Sequence, residues 1–454
     1  MHRPTRRHLT VATALVAATT AAVAVTTAAG AFDDAQQAKD AIKGGKAKNV
    51  ILLIGDGMGD SEITLARDYT VGANGRLNMD KLPLTGAYTT YAVHADGTPD
   101  YVTDSAASGT GWATGVKTVN GRISKTPGTD KPVKTLLELA RKNGYATGNV
   151  TTAELTDATP AVLASHATDR SCQGPADMAK CPTDTIAAGG PGSIAEQEVN
   201  HKVDVLIGGG MQRFEQKVTD GRYKGLTVTQ QARKLGYQVV TDKAGLKGAK
   251  PGKPVLGLFA SGNVPVEWTG KAAAAGGTSP QRCVTSNPNR PSTTPSLADS
   301  ATKAIQLLEA KQRQKHSKQG FFLQIEGASI DKQDHAADPC GQIGETAAFD
   351  RAVKVARAYA AKHPDTLVVT TADHAHTSQI VPLEATPPGL SSTLVTNEGQ
   401  QLKVNYSTNT PGQSQEHTGT QVRIAAQGPL AYRVLGVTNQ TGLFTTIREA
   451  LRLR

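Results

Sequence analysis

The chain of 454 residues has 49 Lys and Arg against 39 Asp and Glu, a formal net charge of +10. A basic surface attracts anionic substrates. The chain has no run of five Lys or Arg, however, and its basic residues do not alternate with aromatics, which argues against specific nucleic-acid binding. Beyond the N-terminal segment no apolar run is long enough to span a bilayer, so we expect no membrane segment in the mature form.

Residues 1–31 have the pattern of an export signal. Basic residues, including the pair Arg6-Arg7, precede a stretch rich in Ala, Val and Thr that ends in small residues at 29–31. The arginine pair resembles a twin-arginine signal, and a general secretory signal with an incidental pair is the alternative. We therefore predict that this segment is removed and that residues 32–454 act in the periplasm or outside the cell.

Short aliphatic runs alternate with helical patterns along the rest of the chain. The strand-like runs are residues 49–55, 145–152, 203–210, 254–260, 320–327, 366–374 and 421–428. Helical patterns lie between them, for example at residues 132–144, 296–315 and 345–363. This alternation predicts one large α/β domain with a central, mostly parallel β-sheet flanked by helices on both faces. The segments 242–253 and 287–296 are predicted surface loops.

Four cysteines in a chain expected to be exported favour disulfide bonds. No Cys-x-x-Cys motif is present, and the spacings do not suit a cysteine-rich zinc site. Of the three possible pairings we favour a local link between Cys172 and Cys181 and a long-range link between Cys283 and Cys340. Reduced structural thiols are the alternative.

Acidic side chains and histidines follow several of the predicted strands. The polar residues concerned are Asp56, Asp157, Thr159, Glu326, Asp373, His374 and His376. In open α/β sheets, ligands bind beyond the carboxyl ends of the strands, so these side chains can converge on one edge. Taken singly, Glu326, Asp157 and Thr159 are explained equally well by a hydrogen-bonded strand end, and each histidine is more often a surface or core residue than a ligand.

Two Asp/His pairs indicate a metal site. Asp331 and His335 are four residues apart, so on a helical turn they share a face and can hold one metal ion together. Asp373 and His374 are adjacent at a strand end, and His417 adds a third imidazole. This mixture of nitrogen and oxygen ligands suits zinc.

Other strand ends offer only oxygen ligands. Glu326, Asp157 and Thr159 are of this kind, and a hard ion such as magnesium prefers oxygen. A hydrogen-bonded strand terminus explains the same residues.

Ser105 follows Asp104 and precedes a run of small residues. This pattern suits a helix N-terminus whose backbone N–H groups face an anion. An N-cap serine is the commoner explanation. Beside clustered metal ions Ser105 becomes a candidate nucleophile, because a cation can hold its oxygen as an alkoxide.

Six motifs, in order along the chain, closely resemble those of the bacterial alkaline phosphatases, and the similarity covers nearly all of the mature sequence. The motifs are GDGMGDSE, DYVTDSAASGTGWATG, GNVTTAELTDATPA, IEGASIDKQDHAADPCGQIGET, TADHAH and SQEHTGTQVRIAA. The resemblance implies a homodimeric enzyme that hydrolyses small-molecule phosphate monoesters, with residues 32–454 as its catalytic domain and the metal site at the carboxyl ends of the strands.

The same resemblance implies a role for each candidate residue. Ser105 would become a phosphoserine, and Arg170 would bind two phosphate oxygens with its planar guanidinium group. Two zinc ions and one magnesium ion would be bound by three sets of ligands. These sets are Asp331, His335 and His417 for the first zinc; Asp56, Asp373 and His374 for the second; and Asp56, Asp157, Thr159 and Glu326 for magnesium.

Lys332, His376 and Asp104 would support this site. Lys332 would pair with Asp157 beside the phosphate and the magnesium ion, which Asp157 would reach through water. His376 would hold Asp331 in position. Asp104 precedes the nucleophile in the same motif.

Two other functions share parts of this pattern. A phosphodiesterase or sulfatase of the same superfamily is one, but Ser105 together with Arg170 and Lys332 favours monoesters, and the motif that a sulfatase modifies to formylglycine is missing. An inactive protein that sequesters phosphate or metal is the other. No predicted catalytic residue has been lost, which argues against it.

Overall fold

A computed structural model describes residues 27–454, so most of the predicted export signal lies outside the described residues. The α-helices in that range are α1 Thr27–Ala41, α2 Asp60–Thr70, α3 Ser105–Thr114, α4 Leu136–Lys142, α5 Ala158–Ala164, α6 Ile194–Asn200, α7 Met211–Phe214, α8 Val228–Lys234, α9 Lys243–Gly248, α10 Leu297–Gln314, α11 Ser329–His335, α12 Pro339–Lys362 and α13 Thr441–Ala450. Among these helices none is both long enough and apolar enough to cross a bilayer.

The strands in the same range form three sheets. They are β1 Asn49–Gly55, β2 Leu84–Thr89, β3 Ala92–Val93, β4 Pro99–Asp100, β5 Ala146–Glu154, β6 Val205–Gly209, β7 Gln238–Val240, β8 Val255–Leu258, β9 Phe321–Gly327, β10 Thr366–Ala372, β11 Gln379–Val381, β12 Leu390–Val395, β13 Gln401–Tyr406, β14 Val422–Gln427 and β15 Gly436–Asn439. Short 3₁₀ turns lie at Met79–Lys81, Met178–Lys180, Pro182–Asp184, Ile186–Ala188, Gly221–Tyr223 and Ala431–Val434.

Ten strands form the central sheet, in the order β15-β2-β14-β10-β1-β9-β5-β6-β8-β7. The strand β14 runs antiparallel to its neighbours β10 and β2, and the remaining neighbours are parallel. All seven predicted strands belong to this sheet. The prediction of a mostly parallel central sheet is confirmed, and the antiparallel strand makes it mixed.

Helices cover both faces of this sheet. In β9, Gln324 accepts a hydrogen bond from Trp112 Nε1 of α3 at 3.1 Å on one face. On the other face, a side chain added at Gly148 of β5 would meet both Leu323 of β9 and Leu308 of α10. The strands β1, β5, β9 and β10 are buried along their whole length. Two covered faces explain the nearly continuous aliphatic runs of β1 and β9.

The register of the three central strands brings their carboxyl ends level. Gly55 of β1 lies opposite Ala372 of β10 and opposite Gly327 of β9. Asp56 and Asp373 follow the first two of these residues in the chain. Both acids therefore emerge from neighbouring strands at the same edge of the sheet.

One loop prediction is wrong in part, because residues 242–253 contain the helix α9. Asp242 caps this helix by accepting a hydrogen bond from Gly245 N at 2.6 Å, and Leu246 is buried. The cap and the buried leucine outweigh the low helix propensity of the glycines. Residues 287–296 contain neither helix nor strand, as predicted.

A small antiparallel sheet, β11-β13-β12, covers a second apolar cluster beside α2 and α12. Two disulfide bonds join the pairs that the spacing favoured. The bond between Cys283 and Cys340 ties a long loop to the start of α12 within this cluster. The bond between Cys172 and Cys181 closes a short loop.

We expect the longer-range disulfide to stabilise the fold more. The two cysteines of a pair are 57 residues apart in one case and 9 in the other, and the entropy lost by the unfolded chain grows with loop length. Replacing Cys283 and Cys340 by Ser should lower the free energy of unfolding by about 4 kcal/mol, against about 2.6 kcal/mol for Cys172 and Cys181. Denaturant unfolding without reductant measures both. A larger loss from the shorter loop would contradict the entropic account.

Candidate active site

The turn after β1 brings the strand ends together. Gly57 has a φ of +65°, and a side chain there would press against the Asp331 backbone at 3.0 Å, so the turn requires glycine. Gly57 N and His374 N both donate to Asp373 Oδ1 at 2.9 Å. Asp373 Oδ2 is buried and has no hydrogen-bond partner among the described residues. Leaving a buried carboxylate oxygen without a donor is costly unless a cation binds it.

The helix α11 presents Asp331 and His335 on one face, in agreement with their spacing. Asp331 Oδ1 lies 3.4 Å from His335 Nε2, 3.2 Å from His417 Nε2 and 3.3 Å from His376 Nε2. Potential ligand atoms of these four residues all lie within 4.8 Å of one another. Asp331 N also donates to the carbonyl O of Asp56 at 3.0 Å, which attaches α11 to the strand end.

Backbone carbonyls fix the tautomer of three histidines in the site. A carbonyl oxygen can only accept, so a ring Nδ1 beside one must carry the proton, and Nε2 keeps its lone pair for the site. The contacts are His335 Nδ1 with Gln415 O, His417 Nδ1 with Thr103 O at 3.0 Å and His374 Nδ1 with Ala375 O at 3.2 Å. Orientation of the imidazole through its other nitrogen is typical of metal-binding histidines.

The Nε2 atoms of His335 and His417 are 3.2 Å apart. When both rings are neutral, Nδ1 carries the proton in each, so neither Nε2 can donate to the other and the two lone pairs repel. Although burial opposes it, the hydrogen bond and charge of Asp331 raise the pKa of His417, so positive charge between these groups is favoured. A cation bound by both nitrogens and by Asp331 Oδ1 would convert this repulsion into coordination. Two imidazoles and a carboxylate fit zinc.

A second cluster surrounds Ser105. Ser105 Oγ lies 3.3 Å from Asp56 Oδ1 and 3.3 Å from His374 Nε2. His374 Nε2 is in turn 3.5 Å from Asp56 Oδ1 and 3.3 Å from Asp373 Oδ2. Burial lowers the pKa of His374 well below its usual value, which keeps the ring neutral, as a metal ligand must be.

Ser105 is the first residue of α3 and is not its cap. Asp104 caps the helix, since its Oδ1 accepts a hydrogen bond from Ala107 N at 2.9 Å. The ordinary N-cap explanation for Ser105 is therefore wrong. Its hydroxyl is buried at the positive end of the α3 dipole and faces the two clusters.

Arg170 is held between two carboxylates. Its Nη1 donates to Asp104 Oδ2 at 3.1 Å and its Nη2 to Asp157 Oδ1 at 2.9 Å. Lys332 Nζ donates to Asp157 Oδ2 at 2.9 Å. Although burial opposes ionisation, Lys332 and Arg170 hold the pKa of Asp157 well below its usual range. The guanidinium group is thus fixed in place beside Ser105.

Only some of the proposed magnesium ligands contact one another. Thr151 donates to Glu326 Oε2. Burial raises the pKa of Glu326 to about 8, although nearby Thr159 lowers it, so a cation would have to displace its proton at neutral pH. Asp157 faces Lys332 and Arg170 instead.

The carboxylates of Asp56, Asp331 and Asp373 repel one another. Burial raises the pKa of Asp56 well above its usual value, and the neighbouring charges of Asp373 and Asp331 raise it further. Several buried carboxylates cannot all ionise in such close proximity without positive charge among them. Divalent cations supply it, so the residues fit metal binding.

An open cavity of about 330 Å³ leads to this site. Its lining residues are Val102, Thr103, Asp104, Ser105, Asn120, Arg170, Asp331, His335, Glu416 and His417. It joins the nucleophile candidate, the arginine and the first histidine cluster in one space that a small phosphate ester can enter.

Some of these neighbours had no signal in the sequence. Thr103 and Gln415 act through backbone carbonyls, which any residue possesses. Thr151 lies in the middle of a strand-like run. Asn120 fixes the segment before α3 by accepting from Asp104 N at 2.8 Å and donating to the carbonyl O of Val102 at 2.9 Å.

Comparisons with known proteins agree with this geometry. A family model described as alkaline phosphatase matches residues 47–392 and 391–453. Streptomycin-6-phosphate phosphatase of Streptomyces griseus is 62% identical over 409 residues, covering 90% of this chain and 91% of the relative. Alkaline phosphatase H of Pseudomonas aeruginosa is 53% identical over 433 residues, covering 93% and 89%. The solved alkaline phosphatase of the Antarctic bacterium TAB5 shares the fold, with a TM-score of 0.67 at 23% identity over 90% of this chain and 99% of that one.

Proposed function

The chain belongs to the alkaline phosphatase family and is a metal-dependent hydrolase of phosphate monoesters, and we propose that Ser105 is its nucleophile. The observation that carries this proposal is the position of Ser105 Oγ, 3.3 Å from both Asp56 Oδ1 and His374 Nε2. The oxygen also lies at the N-terminus of α3, where negative charge is stabilised.

We propose two zinc sites and one magnesium site for this chain. The ligands are Asp331, His335 and His417 for one zinc; Asp56, Asp373 and His374 for the other; and Asp56, Asp157, Thr159 and Glu326 for magnesium. Tautomers fixed by carbonyls and buried carboxylate oxygens without donors support the zinc sites. The magnesium site rests on the chemistry of its oxygen donors and on the family. When bound, these ions supply Lewis acidity that lowers the pKa of a hydroxyl or of water.

The reaction follows from what the chain's own residues can do. Ser105 Oγ attacks the phosphorus in line, an Oγ–P bond forms, and the bond to the leaving oxygen breaks. Water then attacks the phosphoserine and releases inorganic phosphate. Arg170 binds two phosphate oxygens through its planar fork, and Asp104 and Asp157 hold that fork in position. Lys332 places a second positive charge beside Asp157.

Turnover of a chromogenic phosphate monoester tests the activity, with bound zinc and magnesium measured on the same sample. Equal turnover of a phosphate diester would point to the sister activity instead. Streptomycin 6-phosphate should be assayed beside simple esters, since we propose it as a second candidate substrate on the basis of the relative that is 62% identical.

We expect Arg170→Ala to reduce kcat/KM by about a hundredfold and to weaken inhibition by phosphate, yet to leave a measurable rate. When bound, divalent cations would still neutralise most of the transition-state charge in this variant. Arg170→Lys keeps the charge but loses the fork, so it should recover only part of the loss. A loss as complete as that of Ser105→Ala would give Arg170 a larger role than proposed here.

Two further proposals concern assembly, which the family supports, and export, which the Arg6-Arg7 pair and the stretch rich in small and apolar residues after it support. We propose a homodimer, which light scattering in solution tests. We propose that residues 1–31 direct export, by the twin-arginine route, and sequencing the N-terminus of the exported protein tests their removal. The two disulfide bonds fit an oxidising compartment.

A further inference from the structure

The cavity that leads to Ser105 is lined by groups of unlike charge. Its lining includes Arg170 and three residues of the first metal-binding cluster, Asp331, His335 and His417, which would suit a phosphate dianion once cations are bound. Glu416 also lines the cavity, but its side chain is exposed. No basic side chain of the described residues forms an ion pair with it. A carboxylate without an ion-pair partner is unexpected beside a phosphate site, because it repels a phosphate dianion, and the protein carries a net charge of +10.

The backbone holds Glu416 in place. The residue before it, Gln415, is buried and gives its carbonyl O to His335 Nδ1, and the residue after it, His417, donates from Nδ1 to the carbonyl O of Thr103. Glu416 N itself donates to Thr408 Oγ1 at 2.9 Å. The carboxylate is therefore carried on a fixed segment, which reduces the entropic cost of using it in binding.

Asn409, the polar neighbour of the Glu416 carboxylate, is neutral and does not cancel its charge. Asn409 Nδ2 donates to Glu416 Oε1 at 3.3 Å, and Glu416 as a whole is exposed. Neutral donation orients the group without cancelling its charge. With cations bound beside Ser105, the positive charge there and the carboxylate of Glu416 on the same cavity lining would match an ester with a dianionic phosphate and a cationic leaving group.

We propose that Glu416 is a specificity residue that favours phosphate monoesters with a positively charged leaving group. The ammonium or guanidinium end of such an ester lies against Glu416 while its phosphate lies beside Ser105 and Arg170. This inference rests on the proposed function, because it assigns the leaving-group end of the same site.

Two esters of nearly equal shape test this inference on the metal-loaded enzyme. Phosphocholine carries a quaternary ammonium group, and 3,3-dimethylbutyl phosphate replaces it by a neutral tert-butyl group. We expect Glu416→Gln to lower the ratio of kcat/KM for phosphocholine to that for the neutral ester by about threefold to fivefold at low ionic strength. The difference should shrink as salt is added, and Glu416→Lys should lower the ratio further.

Glu384→Gln is the matched control, because Glu384 is exposed and does not line the cavity. It removes the same charge from the protein and should leave the ratio unchanged. An unchanged ratio in Glu416→Gln would overturn the inference. An equal fall in kcat/KM for both esters would also overturn the inference, since Glu416 would then act through its neighbour His417.

Affinity separates this inference from the proposed function. In the metal-loaded Ser105→Ala background, calorimetry measures binding of both esters without turnover, and Glu416→Gln should weaken binding of phosphocholine selectively by the same factor. If the wild-type protein hydrolyses neither ester, the proposed function fails. The ratio of the two dissociation constants then still decides whether Glu416 selects a cation.

Discussion

Ser105→Ala is expected to lose about a thousandfold or more in kcat and to form no covalent phosphoenzyme. In the proposed mechanism, hydrolysis proceeds in two steps, and the second needs a deprotonated water as nucleophile. Mildly acidic pH therefore slows loss of phosphate from the serine more than its formation. Enzyme mixed with labelled substrate at that pH, quenched in acid and digested, should yield a peptide phosphorylated at Ser105. At alkaline pH the label should vanish.

Ser108 provides the matched control for this experiment. It lies one turn further along α3, and its hydroxyl donates to the carbonyl O of Asp373 at 2.7 Å, so it is directed away from attack. Ser108→Ala should keep the label on Ser105. A label on Ser108 or on a histidine, or full activity in Ser105→Ala, would refute the assigned nucleophile and leave the metal clusters standing.

The central strands were predictable because of how they are buried. β1 and β9 are nearly continuous aliphatic runs, since both of their faces are covered by helices. The order of the strands was not predictable, because β1 pairs with β9 and β10, which lie more than two hundred residues further along the chain. Partly exposed edge strands such as β7 and β15 were not predicted either, since their short sequences resemble loops.

Some contacts of the candidate site could likewise be predicted from the sequence, and others could not. The four-residue spacing of Asp331 and His335 placed both on one face of α11, and local geometry alone decides such a relation. The meeting of His417 with this pair depends on a loop more than eighty residues further along, and the tautomer of His417 depends on the carbonyl O of Thr103. Local sequence patterns do not encode contacts of this kind: the residue types offered His417 as a candidate ligand, and only the resemblance to a family assigned it to Asp331 and His335.

Metal removal is expected to abolish activity and to lower thermal stability together. In the described residues Asp331 Oδ1 and Asp373 Oδ2 are buried without a hydrogen-bond partner, and the Nε2 atoms of His335 and His417, both near Asp331, lie 3.2 Å apart. Bound cations relieve both penalties in the folded state only. At a free metal concentration a hundred times the dissociation constant, each site contributes about 2.7 kcal/mol to stability.

The experiment compares chelated and reloaded protein by activity, by metal content and by the unfolding temperature. Zinc with magnesium should restore both properties. His417→Ala should bind less zinc, show a smaller rise in unfolding temperature on reloading, and lose most of its activity. His363→Ala is the control, because His363 stacks on Tyr359 away from the site and should bind metal as the wild type does. Activity that persists after metal content has fallen to zero would refute the metal-dependent mechanism, since within residues 27–454 the side chains that contact Ser105 Oγ are those of the proposed ligands Asp56 and His374.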